Sequence, residues 1–113
     1  MFKLDLSPSF KAAVRFEVQS AAGTREVHEF IADFKRLTAD ELELLSTQAQ
    51  HEAMSDRAIA VQLLVGWSGV TDRHGNALDF TPDNAAAVLN VAGVAPAVVT
   101  AFRAAQPKAA LGN

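Results

Sequence analysis

Phe10-Lys11-Ala12-Ala13-Val14-Arg15-Phe16-Glu17-Val18 alternates with a period of two. Phe10, Ala12, Val14, Phe16 and Val18 share one side of an extended chain. Lys11, Arg15 and Glu17 fall on the other, which is the pattern of a half-buried strand. Ala21-Ala22-Gly23-Thr24 follows as a turn, with Gly23 able to take a positive φ. A second strand over Arg25 to Phe34 puts Phe30, Ala32 and Phe34 on one face. Val27 and Ile31 lie on the opposite face, so that face is expected to be partly covered too. The two strands make a β-hairpin. A lone hairpin is marginal in water, so its apolar face needs helices or more strands.

Downstream the period changes. Thr38-Ala39-Asp40-Glu41 is a capping box that opens a helix from Ala39 to about Glu52, with Leu42, Leu45 and Ala49 inward and Leu44 at the margin. Ser55 or Asp56 caps a second helix, Arg57 to Val65, which is apolar nearly all round and is expected to be the most buried. Gly66-Trp67-Ser68-Gly69-Val70 breaks it, and Asp72-Arg73-His74-Gly75-Asn76 is a polar turn. Leu78 to Phe80 is a short extended piece that can add a strand to the sheet. Thr81-Pro82-Asp83 starts a third helix, Pro82 to Val91, with Thr81 as N-cap and Pro82 at the first helical position. Gly93 stops it. Pro96 opens a fourth helix to about Ala105, with Val98, Val99 and Phe102 inward. Strands followed by helices argue an α+β fold, a small antiparallel sheet packed on about four helices. Residues 1–105 are expected to form one domain and residues 106–113 a flexible tail.

The 113 residues are half apolar and one-fifth charged, enough for a core without covalent staples. There is no cysteine, which excludes structural disulfides and thiolate metal sites. The N-terminus has no signal-peptide pattern, and the most apolar run, Ala58 to Val65, is too short to span a bilayer. These features lead to the expectation of a cytoplasmic protein with no membrane contact. The net charge of −3 and the scattered basic residues argue against nucleic acid as a partner.

The chain offers little chemistry. Gly66-Trp67-Ser68-Gly69 invites comparison with a serine nucleophile elbow, but Val70 stands where glycine is required and the preceding segment reads as helical. Asp72, His74, Asn76 and Asp83 have a faint likeness to a calcium loop, yet Ala77 and Asp83 occupy the glycine and glutamate positions. A solvated turn and a helix cap explain the same residues. His28, His51 and His74 have no partner at metal-ligating spacing. Glu41, Glu43 and Glu52 read as a wet helix face, with Glu41 accounted for by capping. The reading is therefore non-enzymatic, with no catalytic residue, no cofactor and no metal.

Gly66-Trp67-Ser68-Gly69-Val70-Thr71-Asp72, then Gly75, then Phe80-Thr81-Pro82-Asp83-Asn84 resembles the tail assembly chaperones of long-tailed bacteriophages and prophages. In that family the segments look like GW-x-G-V-x-D-x-x-G and F-T-x-x-N, followed by a short helix and a last helix that ends near an aromatic. Val94, Ala95, Val98 and Phe102 fill that ending here. Pro8, Phe10, Lys11 and Ala12 before the first strand, and Thr38, Glu41 and Leu42 at the first helix, also look similar. The resemblance covers roughly Phe2 to Phe102. Its motif positions are Gly66, Trp67, Gly69, Val70, Asp72, Gly75, Phe80, Thr81 and Asn84.

The resemblance implies a protein that binds the tape measure protein and keeps it soluble until tail tube subunits polymerise around it, in the host cytoplasm. The tail tube protein is a second implied partner, and self-association is compatible with the role. In many phages a frameshift extends some copies, and the tail after Ala104 is where an extension would attach. Physically, Trp67 and Phe80 are read first as a staple clamping the second helix against the third. A groove on the last two helices, made by Val88, Leu89, Val98, Val99 and Phe102, is read as the client surface. Three other readings compete: a different small phage tail or head–tail structural protein, a small metal-dependent enzyme using Asp72, His74 and Asp83, and a bacterial regulator sharing the motif.

Overall fold

β1 (Ser9–Gln19) and β2 (Arg25–Lys35) form the expected hairpin, in unbroken antiparallel register from Gln19↔Arg25 to Ser9↔Lys35. The computed structural model describes residues 2–4 and 6–107. At the turn Ser20 N–H donates to the Thr24 carbonyl at 2.7 Å, and Gly23 takes φ 84°. Val14, Phe30, Ala32 and Phe34 are buried on the inner face, as the alternation requires. The outer face is largely charged, with Ile31 half-buried on it as expected. Lys11 pairs with Asp33 at 4.0 Å, Arg15 with Glu29 at 3.3 Å and Arg25 with Glu17 at 3.9 Å. All three pairs are exposed enough to add little stability. Val27, expected to be partly covered, stands exposed on that side.

The third strand is not where the sequence pattern put it. α1 (Ala39–His51) and α2 (Asp56–Leu63) come next, and β3 (Leu64–Ser68) then pairs antiparallel with β2 to give the order β1-β2-β3. The second helix therefore ends two residues before Val65, and the Gly66-Trp67 segment continues as strand instead of breaking into loop. Pairing with β2 decides the matter: it seats Leu64 against Phe34 and Trp67 against Ala32, on the core side of the sheet. Branched and aromatic side chains fit that half-buried pleat. Leu78 to Phe80 adds no strand. A single bridge, Thr71↔Ala77, closes the intervening loop.

α3 (Pro82–Leu89) starts on Thr81 as expected, with the Thr81 side chain accepting from Asn84 N–H at 3.1 Å. It ends two residues before Val91. Gly93 belongs to the next helix, as the N-cap of α4 (Val94–Ala104), with φ 91°. Pro96 does not open that helix but lies in its first turn, where a missing N–H breaks no helical bond. α4 is the most buried helix, contributing Val94, Ala95, Val98, Val99 and Phe102. α2, expected in that place, buries Ile59, Ala60 and Leu63 but turns Ala58 and Val61 to solvent.

α4 packs under β1 and beside α2. Phe102 reaches the sheet, with its ring 6.0 Å from Phe10 and 5.4 Å from Phe34. The architecture is α+β: a three-stranded antiparallel sheet and four helices around a single buried cluster. Of the expected tail, residues 108–113 lie outside the described residues. Gln106 is half-buried and tied back to α4, its Nε2 donating to the Phe102 carbonyl at 3.1 Å.

Candidate functional site

The Trp67 motif is built as a brace. Trp67 sits at the end of β3 with its ring edge-on to Phe30 at 6.3 Å and to Phe80 at 4.9 Å. Its indole N–H donates to the Leu78 carbonyl at 2.8 Å. The ring thus ties β3 to β2 on one side and to the stretch leading into α3 on the other. It does not clamp α2 against α3. A different bond joins those helices: Arg57 Nη1 donates to Oδ1 of Asn90, the C-cap of α3, at 2.6 Å.

The remaining motif residues shape the same loop. Gly66 lies opposite Asp33, where an added Cβ would stand 3.4 Å from the Asp33 Cβ. Gly69 takes φ 83°, turning the chain out of the sheet. Val70 accepts at its carbonyl from Leu78 N–H at 2.9 Å. Asp72 caps its own turn: Oδ1 accepts from His74 N–H at 2.8 Å and from Asn76 N–H at 3.0 Å. Gly75 N–H donates to the Asp72 carbonyl at 3.0 Å. Asn84 Nδ2 donates to the Asp79 carbonyl at 2.9 Å. Every polar atom that suggested a calcium loop is thereby given a backbone partner or left at the surface.

The candidate chemical groups do not converge. Among the described residues no cluster of three or more His, Asp or Glu side chains is placed to hold a metal. His28 stacks on Phe16 at 6.0 Å and meets Glu26 at 3.3 Å on the surface. Ser68 is exposed at the end of β3. A strand does precede it, contrary to expectation, but Val70 still occupies the position an elbow needs for glycine. The Glu41 carboxyl is held below the usual carboxylate range. The Thr38 backbone N–H donates to it first of all, its tie to the Thr38 side chain comes second, and nearby Lys35 adds to the effect.

Most of the expected client surface is buried. Leu89, Val98, Val99 and Phe102 are each no more than 5% exposed, and only Val88 is half-buried. Val98 and Leu89 pack in the core, whereas Val99 and Phe102, although buried among their neighbours, also line an open groove against α1 and α2. Sequence periodicity finds an apolar helix stripe but not what lies against it.

A different apolar surface stays open. A half-open groove of about 390 Å³ runs between α1, α2 and the end of α4. Leu42, Leu45 and Ala49 of α1 line one wall, and Met54, Ile59 and Leu63 the other. Val99 and Phe102 contribute from α4, and Ser46, Gln50, Asp56, Arg103 and Gln106 add polar and charged groups to the lining. α1 has no buried residue at all, although its capping box is complete. It leans on the core through half-buried side chains without sealing against it. The reading of Leu42, Leu45 and Ala49 as an inward stripe had the direction right. The sequence signal for the gap is faint: Ala49 is small where a larger residue would close the groove.

The family described as YdaY prophage protein matches this chain over residues 11–112. No curated protein and no solved structure matches it. Among the described residues no single helix is long and apolar enough to cross a membrane.

Proposed function

The chain belongs to the YdaY prophage protein family, and from that premise we propose that it is a tail assembly chaperone, holding the tape measure protein soluble until the tail tube forms around it. The observation that carries this reading is the α1 groove, lined mainly by apolar side chains of α1, α2 and α4. A tape measure chain presents apolar helix stripes before assembly, and such stripes aggregate when left in water. A helix laid into the groove buries the stripe. Met54 in the lining can adapt to different client side chains, because its thioether repacks readily. The Trp67 resemblance supports the reading at family level, while the motif itself works as a brace.

A chaperone that must leave needs modest affinity at each copy, with many copies along one client giving avidity. A half-open groove suits that requirement. The role asks for no catalytic residue, cofactor or metal.

Co-expressing the full chain with the tape measure protein of the same prophage tests the proposal. The client is expected in the soluble fraction with the native chain, and in the pellet with Ala49→Arg, which sets a charge in the groove. Leu44→Arg, on the exposed side of α1, is expected to leave solubility unchanged. A client equally insoluble with and without the native chain overturns the reading.

A further inference from the structure

We propose that β1 is a dimerisation strand, pairing antiparallel through its free edge with β1 of a second copy of this chain, centred on Val14. The inference is independent of the client groove, which lies on the helical side.

Three observations carry it. β1 is an edge strand of eleven residues, about twice the usual length, with no proline and no bulge in its register. Proline and bulges are two of the devices that normally stop an edge from pairing. The other edge strand, β3, has only five residues, and a register shift interrupts its pairing with β2.

The hydrogen-bonding parity is also set. Ser20 N–H donates to Thr24 beyond one end of β1, and the Pro8 carbonyl accepts from Arg36 N–H beyond the other. Even-numbered residues of β1 therefore face β2. Odd-numbered ones, Lys11, Ala13, Arg15 and Glu17 among them, direct N–H and C=O groups to the open edge. The α3–α4 loop flanks that edge at its Glu17 end, where a Cβ added to Gly93 would lie 3.8 Å from the Glu17 carbonyl.

Charge then selects the register. With Val14 opposite Val14 of the second copy, the whole strand overlaps and Lys11 faces Glu17 of the other copy, twice per dimer. Since Lys11 already meets Asp33, and Glu17 meets Arg25, a row of alternating charge crosses both sheets. Centring on Ala13 sets Lys11 against Arg15, and centring on Arg15 sets two arginines together, both unfavourable. On the inner face the chosen register places Ala12 against Phe16 and Phe10 against Val18, covering side chains that β1 leaves half-exposed.

The full chain in analytical ultracentrifugation is expected to sediment as a dimer at micromolar concentration. Ala13→Pro removes an edge N–H without touching the β2 ladder, and is expected to give a folded monomer. Lys11→Glu and Glu17→Lys each oppose like charges in the homodimer, and each alone is expected to weaken dimerisation roughly tenfold. Mixing the two variants restores opposite charges at both positions and is expected to restore the dimer, which a purely structural defect would not do. A native chain that stays monomeric, a dimer indifferent to Ala13→Pro, or a mixture no tighter than its components overturns the proposal.

Discussion

Trp67 and Phe80 meet edge to face with ring centroids 4.9 Å apart and planes at 82°, while the indole N–H reaches past Phe80 to the Leu78 carbonyl. The two contacts fix the loop of residues 69–79 to the end of the sheet. Trp67→Ala removes both and is expected to destabilise the fold by about 3 kcal/mol, at the lower end for a large aromatic because the ring is only half-buried. Trp67→Phe keeps most of the ring contact and loses the hydrogen bond, for about 1 kcal/mol. Urea unfolding followed by circular dichroism separates the two. Equal losses would mean that the bond, and not the ring, is what the brace rests on.

Asp72 distinguishes a turn from an ion site. Its Oδ1 accepts two backbone N–H groups, and an amide oxygen at the same place can do likewise. Asp72→Asn is therefore expected to be nearly neutral and Asp72→Ala to lose about 1–2 kcal/mol. Calcium added to the native chain is expected to leave the melting temperature unchanged. A rise with calcium that Asp72→Asn abolishes would restore the ion-binding reading.

The fold was legible where local and tertiary signals agree. The alternation from Phe10 to Val18 and the caps at Thr38 and Thr81 each name their own element, and each stands in the structure. The errors cluster where a neighbour decides. Leu64 to Ser68 has a helix before it and glycine within it, and only the waiting edge of β2 makes it a strand. The stripe of Val98, Val99 and Phe102 reads the same whether it faces a client or the sheet, because a period gives a face and not its occupant. The α1 groove is less legible still, since it is a property of the gap between three helices.

That distinction has a direct test in stability. Phe102 is 5% exposed against Phe34 and Phe10, so Phe102→Ala is expected to lose about 3–5 kcal/mol. Val61 is 61% exposed on the outer side of α2, and Val61→Ala is expected to fall within about 0.5 kcal/mol of the native chain. Denaturant midpoints measure both. A small loss at Phe102 would mean that its ring serves the groove and not the core.

Acid should loosen α1 before the rest. Glu41 is held below its ordinary carboxylate value by the Thr38 hydrogen bonds, with Lys35 assisting. A carboxyl depressed in the folded state stabilises fully above its unfolded value, and the contribution disappears as the pH falls through the folded one. Amide signals of Leu42 and Leu45 are therefore expected to shift on acidification while those of Val14 and Phe34 hold. Glu41→Gln cannot ionise and is expected to flatten that response. An unchanged titration of α1 in Glu41→Gln would place the acid-sensitive group elsewhere.

Filling the groove separates stability from client binding. Ala49 faces the gap from α1, half-buried and small. Ala49→Leu extends apolar surface into space that is already open, so it does not overpack a closed core. Both residues are good helix formers, so α1 itself is little affected. The substituted chain is expected to melt at the native temperature or slightly above it. If the groove holds client helices, that same leucine occupies the place of a client side chain, and the soluble yield of co-expressed tape measure protein is expected to fall. Gain in one measurement and loss in the other is the signature of a surface left unfilled for use, since stabilising substitutions at working sites commonly cost function. A variant that is more stable and equally able to hold the client would move the client surface away from α1.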